Sequence, residues 1–344
     1  MSSTEKKELG QFYTKNAEYI VGNLLSIFPS TATIVDPFAG EGDLIRLLPF
    51  SVIEEYDIDP KRGTTIRQDT LLNPPNYKNK WILTNPPYLA KNKTKNKMLF
   101  NKYQLDDLYK ISIKTIIGCK GGVLVVPLNF FSCRDGSVRN QFLNNYRVIK
   151  VNVFEEQIFS DTTYTICSFS FVEKSFAELP SSVSFTFFPS LENKNIQILE
   201  ENSYTIGNEI YNLPKSGVKI SRLLKDKESS GYISNIKLYA IDSGSTKGRI
   251  RLEYEPDHFY GKSTDRGFAT LVFSKRLTYL EELNIIWKFN KTLERYRERY
   301  HSLFLTNFRN STVSYARKRI DFALAYRIIS NLLLANQKNP FELD

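Results

Sequence analysis

The sequence predicts an α/β chain whose centre is a parallel sheet with helices on its faces, closed by an antiparallel hairpin and followed by a second region of different character. Three observations carry that expectation. From about residue 32, short β-rich runs alternate with helical ones, as βαβ units do. Several β-rich runs end in an acidic or amide residue, namely Asp36, Asp57, Asp69 and Asn85, and in open α/β sheets ligands sit beyond the carboxyl ends of the strands. Two later runs, "RVIKVNVFEE" and "TYTICSFSFVEK", flank "QIFSD", which reads as a hairpin whose last strand runs antiparallel to its neighbours.

In chain order, "TATIVDPF" gives the first strand and "GDLIRLL" the helix after it. "SVIEEYDIDP" and "TTIRQD" give two more strands and "WILTNPP" a fourth. A long helical stretch follows through "FNKYQLDDLYKISIKTII", then the apolar strand "GGVLVVPL" and a helix over "RDGSVRNQFLNNY". Past the hairpin, "SFAELPSSVSFTFFPSLENKN" mixes Pro, Ser and Asn with short strands and reads as a connection over residues 176–200. Beyond it come irregular strands, as in "IKLYAIDSGSTKGRIRLEYE", and two helical stretches, "RLTYLEELNIIWKFNKTLERYRERYHSLF" and "RIDFALAYRIISNLLLAN". Two domains are expected, residues 1–175 and 201–344.

Composition removes several chemistries. Cys119, Cys133 and Cys167 form no CxxC pair and sit in or beside apolar runs, as reduced buried thiols do. His258 and His301 are the only histidines, too few parts for a histidine zinc site or a Ser-His-Asp triad. No stretch approaches the roughly 20 apolar residues that span a bilayer, and "MSSTEKKELG" lacks the apolar core of a secretory signal. An intracellular protein with no membrane partner is expected. Lys and Arg number 47 against 37 Asp and Glu, a net charge of +10 that suits a partner made of phosphates.

"DPFAGEGDL" (Asp36–Leu44) leads from a strand into a helix, and Gly40 and Gly42 let its backbone approach a ligand. Asp36 and Glu41 would repel a pyrophosphate but accept a zwitterionic or sulfonium-bearing ligand. Asp57, roughly 20 residues on, is placed to accept hydrogen bonds from both hydroxyls of a ribose. Asp69, at the end of the third strand, is placed to accept one from an adenine amino group. In this order the three point to S-adenosylmethionine.

"NPPY" (Asn85–Tyr88) then ends the fourth strand in a rigid corner, since neither proline can donate to a ladder and each fixes its own φ. Asn85 offers a side-chain carbonyl, Pro86 a backbone carbonyl held still by the ring, and Tyr88 a ring face. A purine or pyrimidine amine is a poor nucleophile because its lone pair is delocalised into the ring. Two acceptors on its N–H groups draw the nitrogen toward tetrahedral geometry and localise that pair toward a methyl donor. Catalysis then rests on position and preorganised dipoles rather than on a strong base. "KNKTKNK" (Lys91–Lys97), just past the corner, reads as a loop that meets a DNA backbone or as a spacer.

"GQFYT" (Gly10–Thr14), "DPFAGEGDL", "DIDP", "QDTLL" and "NPPY", in that order, resemble the motifs of the amino-methylating DNA methyltransferases in the arrangement of the gamma group, found in restriction-modification systems. The resemblance covers residues 9–174. It implies a Rossmann-like, seven-stranded methyltransferase sheet, last strand antiparallel, in an S-adenosylmethionine-binding catalytic domain, with a C-terminal α+β target-recognition domain. Phe12, Tyr13 and Thr14 match the segment packed over the cofactor's methionine end. Asp36 matches the position near its amino group, Asp57 the ribose acid and Asp69 the adenine acid, with Phe38, Gly40, Gly42, Ile58 and Asn85 completing the cofactor contacts. Asn85, Pro86, Pro87 and Tyr88 match the catalytic tetrapeptide. Phe159 falls on the hairpin position where an aromatic stacks on the flipped base, so that Tyr88 and Phe159 would sandwich it.

The implied activity is methylation of adenine N6 in double-stranded DNA, by a monomer or weak dimer that has a cognate restriction endonuclease as a candidate partner. "STKGRIR", "STDR", "FSKR" and "SYARKR" offer Ser, Thr, Lys and Arg in turn-like settings suited to phosphates and base edges. RNA adenine-N6 and DNA cytosine-N4 methylation use related corners and stay open, although Asn85 tilts toward adenine. A protein-glutamine substrate fits less well, since those enzymes carry a helical domain before the sheet. A non-catalytic DNA-binding subunit would be expected to have lost at least one of Asp36, Asp57, Asp69 and Asn85.

Overall fold

The computed structural model describes residues 14, 16–49, 52–132, 136–159, 164–176, 182–227, 230–242, 249–307 and 317–338. The chain divides into two compact units, residues 1–131 with 135–204, and residues 132–134 with 205–344.

The first unit is built on a mixed, mostly parallel sheet. Its strands are β1 (Thr33–Asp36), β2 (Val52–Asp57), β3 (Ile66–Arg67), β4 (Trp81–Thr84), β5 (Gly121–Pro127), β6 (Tyr146–Phe154), β7 (Ile166–Glu173), β8 (Val183–Phe188) and β9 (Glu192–Ile196). They lie in the order β3-β2-β1-β4-β5-β7-β6-β8-β9. The central strands β4 and β5 are buried along their whole length, which is why "WILT" and "GGVLVVP" read as unbroken apolar runs. β7 enters between β5 and β6 and is antiparallel to both.

Among the described residues the sheet has nine strands, where seven were expected. Residues 183–196, read as part of a connection, form β8, parallel to β6, and β9, antiparallel to β8. Alternating Val183, Phe185 and Phe187 are buried and extend the sheet, so the Pro and Ser nearby mark a turn into a strand rather than a linker. The first unit accordingly reaches Tyr204.

Among the helices, α1 (Ala17–Val21) precedes the sheet with Ile20 and Val21 fully buried. The run "GDLIRLL" makes only a short 3-10 turn, Ile45–Leu47, because Pro49 disfavours helical backbone in the residue before it. The long helical stretch breaks in two, α2 (Met98–Tyr103) and α3 (Leu108–Thr115). Gln104 takes left-handed backbone (φ 56°) and ends α2, and Asp107 caps α3. Leu71, Leu89, Phe100, Leu108 and Ile111 gather there in one apolar cluster. Helices α4 (Asn129–Ser132) and α5 (Ser137–Asn145) follow β5.

Among its described residues the second unit has a four-stranded antiparallel sheet, a three-stranded one and two helices. The strands are β10 (Ile220–Arg222), β11 (Tyr232–Tyr239), β12 (Ile241–Asp242), β13 (Arg251–Tyr254), β14 (Phe268–Phe273), β15 (Thr306–Asn307) and β16 (Lys318–Arg319), ordered β10-β14-β11-β13 and β12-β16-β15. Helix α6 (Tyr279–Tyr300) starts on a capping box between Thr278 and Glu281, and α7 (Phe322–Lys338) closes the unit. Among the described residues no helix is long and apolar enough to cross a membrane.

Candidate functional site

Four strand ends build the site. Asp36 closes β1, Asp57 closes β2, Asp69 lies two residues past β3, and Asn85 directly follows β4. Asp36 is 1% exposed and accepts hydrogen bonds from Thr84 Oγ1 at 2.6 Å and the Phe38 amide at 3.1 Å. Burial pushes its carboxyl up to about 7, opposed by those two bonds and reinforced by the nearby charges of Asp57 and Glu55.

Asp57 draws the glycine loop over the sheet: one carboxylate oxygen takes the Gly40 amide at 2.9 Å and the other the Asp59 amide at 2.8 Å. Each oxygen keeps a second lone pair with which to meet a ligand. Gly40 needs its left-handed backbone (φ 53°) to make that bond. Asp69 folds the next turn, its Oδ1 accepting the Leu71 and Leu72 amides, both at 3.0 Å.

Three of these ends, Asp57, Asp69 and Asn85, meet at a cavity of about 240 Å³, whereas the buried Asp36 does not line it. Of the residues singled out from sequence, Phe38, Gly40, Asp57, Ile58, Asp69, Asn85 and Pro87 line it. Gln68, Thr70, Leu71, Leu89 and Leu108 complete the wall, with Thr94, Asn96, Met98, Leu99 and Phe100 on a further side. "KNKTKNK", read as a loop meeting DNA or a spacer, thus gives two of its residues, Thr94 and Asn96, to the cavity. Apolar walls with a few convergent carboxylate and amide groups are the ordinary make-up of a small-molecule site.

The corner carries the second half of the site. The Asn85 side chain is buried, and its Nδ2 donates to Thr14 Oγ1 at 3.1 Å while its Oδ1 accepts from the Tyr88 hydroxyl. The amide is thereby held in one orientation, carbonyl oxygen toward Tyr88. The same hydroxyl lies 2.7 Å from the Val125 carbonyl on β5; with one hydrogen it serves one of these acceptors at a time. Tyr88 is 2% exposed, its ring edge-on to Tyr109 and Tyr164 with centroids at 6.5 and 6.3 Å. The sequence offers Tyr88 as a ring face; in this conformation that face is covered and the hydroxyl faces the Asn85 amide.

Other expected residues stand off the cavity wall. Gly42 (φ 77°) makes room for Arg62: a Cβ there would lie 2.3 Å from the Arg62 Nη1 that pairs with Glu55 at 2.6 Å. Phe159 is 5% exposed in the hairpin loop, its carbonyl accepting from Gln157 Nε2 at 3.1 Å. Phe12 and Tyr13 lie outside the described residues, as do parts of "STKGRIR" and "SYARKR". Sequence reasoning missed Thr84, which faces Asp36 across neighbouring strands, and Tyr164. Thr84 could have been suspected, since it is the polar end of an otherwise apolar strand.

The chain matches no family model and no curated protein. Solved structures match parts of it weakly. A type I restriction-modification system methyltransferase subunit from Streptococcus thermophilus is similar over 52% of this chain and 47% of its own, at 17% identity and a TM-score of 0.34. The type IIG restriction endonuclease BpuSI is similar over 69% and 38%, at 16% identity and 0.42, and the 23S rRNA methyltransferase ErmE over 47% and 69%, at 13% and 0.33. The chain spans about half the length of the Streptococcus subunit. Likeness this low says nothing of activity, and the functional reading rests on the site itself.

Proposed function

We propose that the chain is an S-adenosylmethionine-dependent DNA methyltransferase acting on the N6 amine of an adenine flipped from duplex DNA. The observation that carries the reading is the Asn85 amide, buried at a strand end, oriented by Thr14 and set beside a cavity walled by Asp57 and Asp69.

Asp57 and Asp69 offer acceptors for ribose hydroxyls and an adenine amine, Phe38, Ile58 and Leu71 offer apolar walls, and Asp36 offers the negative charge for an ammonium. The cofactor, when bound, supplies a methyl group on a positively charged sulfur. Asn85 Oδ1 and the Pro86 carbonyl accept the two N–H groups of the target amine, localising its lone pair for attack. Asn85 Oδ1 has a second lone pair for the amine, and serves it best when the Tyr88 hydroxyl turns from Asn85 to its other acceptor, the Val125 carbonyl. Tyr88 presents its ring to the base, with Phe159 as the partner ring, only once it turns out from Tyr109 and Tyr164, which cover it in this conformation. As the N–CH3 bond forms the methyl's bond to sulfur breaks, the sulfur keeping the electron pair. The nitrogen, now cationic, loses its extra proton to water, and no strong base is needed beforehand because the preorganised carbonyl dipoles have already localised its lone pair.

The second unit is assigned to target recognition. Lys262, Ser263, Thr264 and Arg266, and Ser274 and Arg276, are exposed on the turns flanking β14, where they suit phosphates and base edges. A cognate endonuclease is a candidate partner.

The test uses tritiated S-adenosylmethionine with duplex DNA, RNA and protein in separate reactions. Label in DNA supports the reading. Label in RNA or protein alone overturns the substrate, and label in none overturns the activity.

A further inference from the structure

We infer that Asp107 is a positioning residue for the catalytic corner, its carboxylate fixing where the chain leaves Tyr88 by accepting the Leu89 amide. The inference rests on the methyltransferase reading of Asn85–Tyr88.

Directly after Tyr88 the chain is stapled to the start of α3. The Leu89 amide donates to Asp107 Oδ1 at 3.2 Å, and the Leu89 carbonyl accepts from the Leu108 amide at 3.1 Å. Ala90 and Asp107 pair as an antiparallel bridge, and the Lys91 amide donates to the Asp106 carbonyl at 2.7 Å. Asp107 Oδ1 also takes the Tyr109 amide at 3.3 Å, capping α3. Tyr109 is in turn a ring against which Tyr88 packs edge-on. One carboxylate therefore holds both the exit of the corner and a wall of its tyrosine.

Capping alone does not call for this group, since an exposed serine does as much. Asp107 is 8% exposed, and burial pushes its carboxyl up to about 6 against the opposing bonds from the Tyr109 and Leu89 amides, with Asp106 adding repulsion and Lys110 a smaller attraction. Holding a carboxylate there is unfavourable unless its bonds do more than cap. The two prolines set φ within the corner but not the direction in which it ends; the Leu89 amide bond to Asp107 adds the first constraint after Tyr88 to those of the backbone bonds from Leu108 and Lys91. Asp107 does not line the cavity, so it acts through the corner and not on a ligand.

Three full-length variants separate the roles: Asp107→Ala removes the acceptor, Asp107→Asn keeps it, and Asp107→Ser caps α3 through a shorter side chain drawn back from Leu89. Hydrogen exchange of a peptide spanning residues 86–91 and the kcat for duplex DNA are measured with cofactor affinity. Exchange is expected to accelerate, and kcat to fall by about 10²-fold, in the alanine and serine variants, with cofactor affinity moving far less. The asparagine variant should recover most of both. Serine behaving like asparagine would reduce Asp107 to a helix cap, and unchanged exchange over residues 86–91 in all three would overturn the latch. Wild-type protein that methylates nothing would overturn the enzymatic reading, while the exchange data would still decide the latch.

Discussion

Replacing Asp36 by asparagine should stabilise the fold while disabling the cofactor site. Asp36 is buried and its carboxyl is raised from 3.8 to about 7. The native state thus holds a proton that the unfolded chain loses near 3.8, so stability is full below that value, declines as pH rises, and levels off above about 7. The gap is worth on the order of 4 kcal/mol against the fold at high pH. Asparagine keeps the oxygen that accepts from Thr84 and the Phe38 amide, but buries an amide nitrogen at a cost of about 1–2 kcal/mol. A net gain of about 2 kcal/mol above neutral pH should remain. Urea denaturation from about pH 4 to about pH 9 reads it, as a difference that favours the variant only toward the alkaline end. A cofactor ammonium would favour the ionised carboxylate, so cofactor binding by the wild type should weaken about tenfold per pH unit below about 7, and the variant should bind weakly throughout. A variant less stable than wild type at high pH, or wild-type binding indifferent to pH, would refute the buried charge.

Two other substitutions follow from single contacts. Tyr88→Phe removes the hydroxyl shared by Asn85 and Val125, which should destabilise the protein by about 1 kcal/mol. It should also free the Asn85 acceptor, tightening capture of an unpaired fluorescent purine by about fivefold; weaker capture would show that the hydroxyl assists the base rather than competing with it. Gly42→Ala forces left-handed backbone on alanine and drives Arg62 from Glu55, so a loss of about 1–2 kcal/mol is expected; an unchanged melting temperature would contradict it.

The parallel half of the sheet was legible because β4 and β5 are buried on both faces and read as apolar runs, and because polar residues at strand ends stand out against them. The two added strands were not, since "VSFTFF" sits among Pro, Ser and Asn that score as a linker until a neighbouring strand is seen to need a partner. The helix after Leu44 was lost to Pro49, a local rule overridden in the reading by the strength of the alternating pattern. At the site, Asp57, Asp69, Gly40 and Asn85 could be placed by spacing, because strand ends fix their direction. Gly42 could not, as its neighbour Arg62 is 20 positions away, and the closed state of Tyr88 could not, since a hydroxyl's partner is a matter of tertiary packing. Asp107 was invisible for the same reason: an aspartate before a helix reads as a cap, and nothing in sequence shows that Leu89 lies beside it.

The most direct measurement is nucleoside mass spectrometry of duplex DNA digested after incubation with S-adenosylmethionine and either wild-type protein or Asn85→Ala. The account predicts N6-methyladenine with the wild type and none with the variant, while both bind the cofactor. N6-methyladenine at equal yield from the variant, or a methylated cytosine in its place, would contradict it.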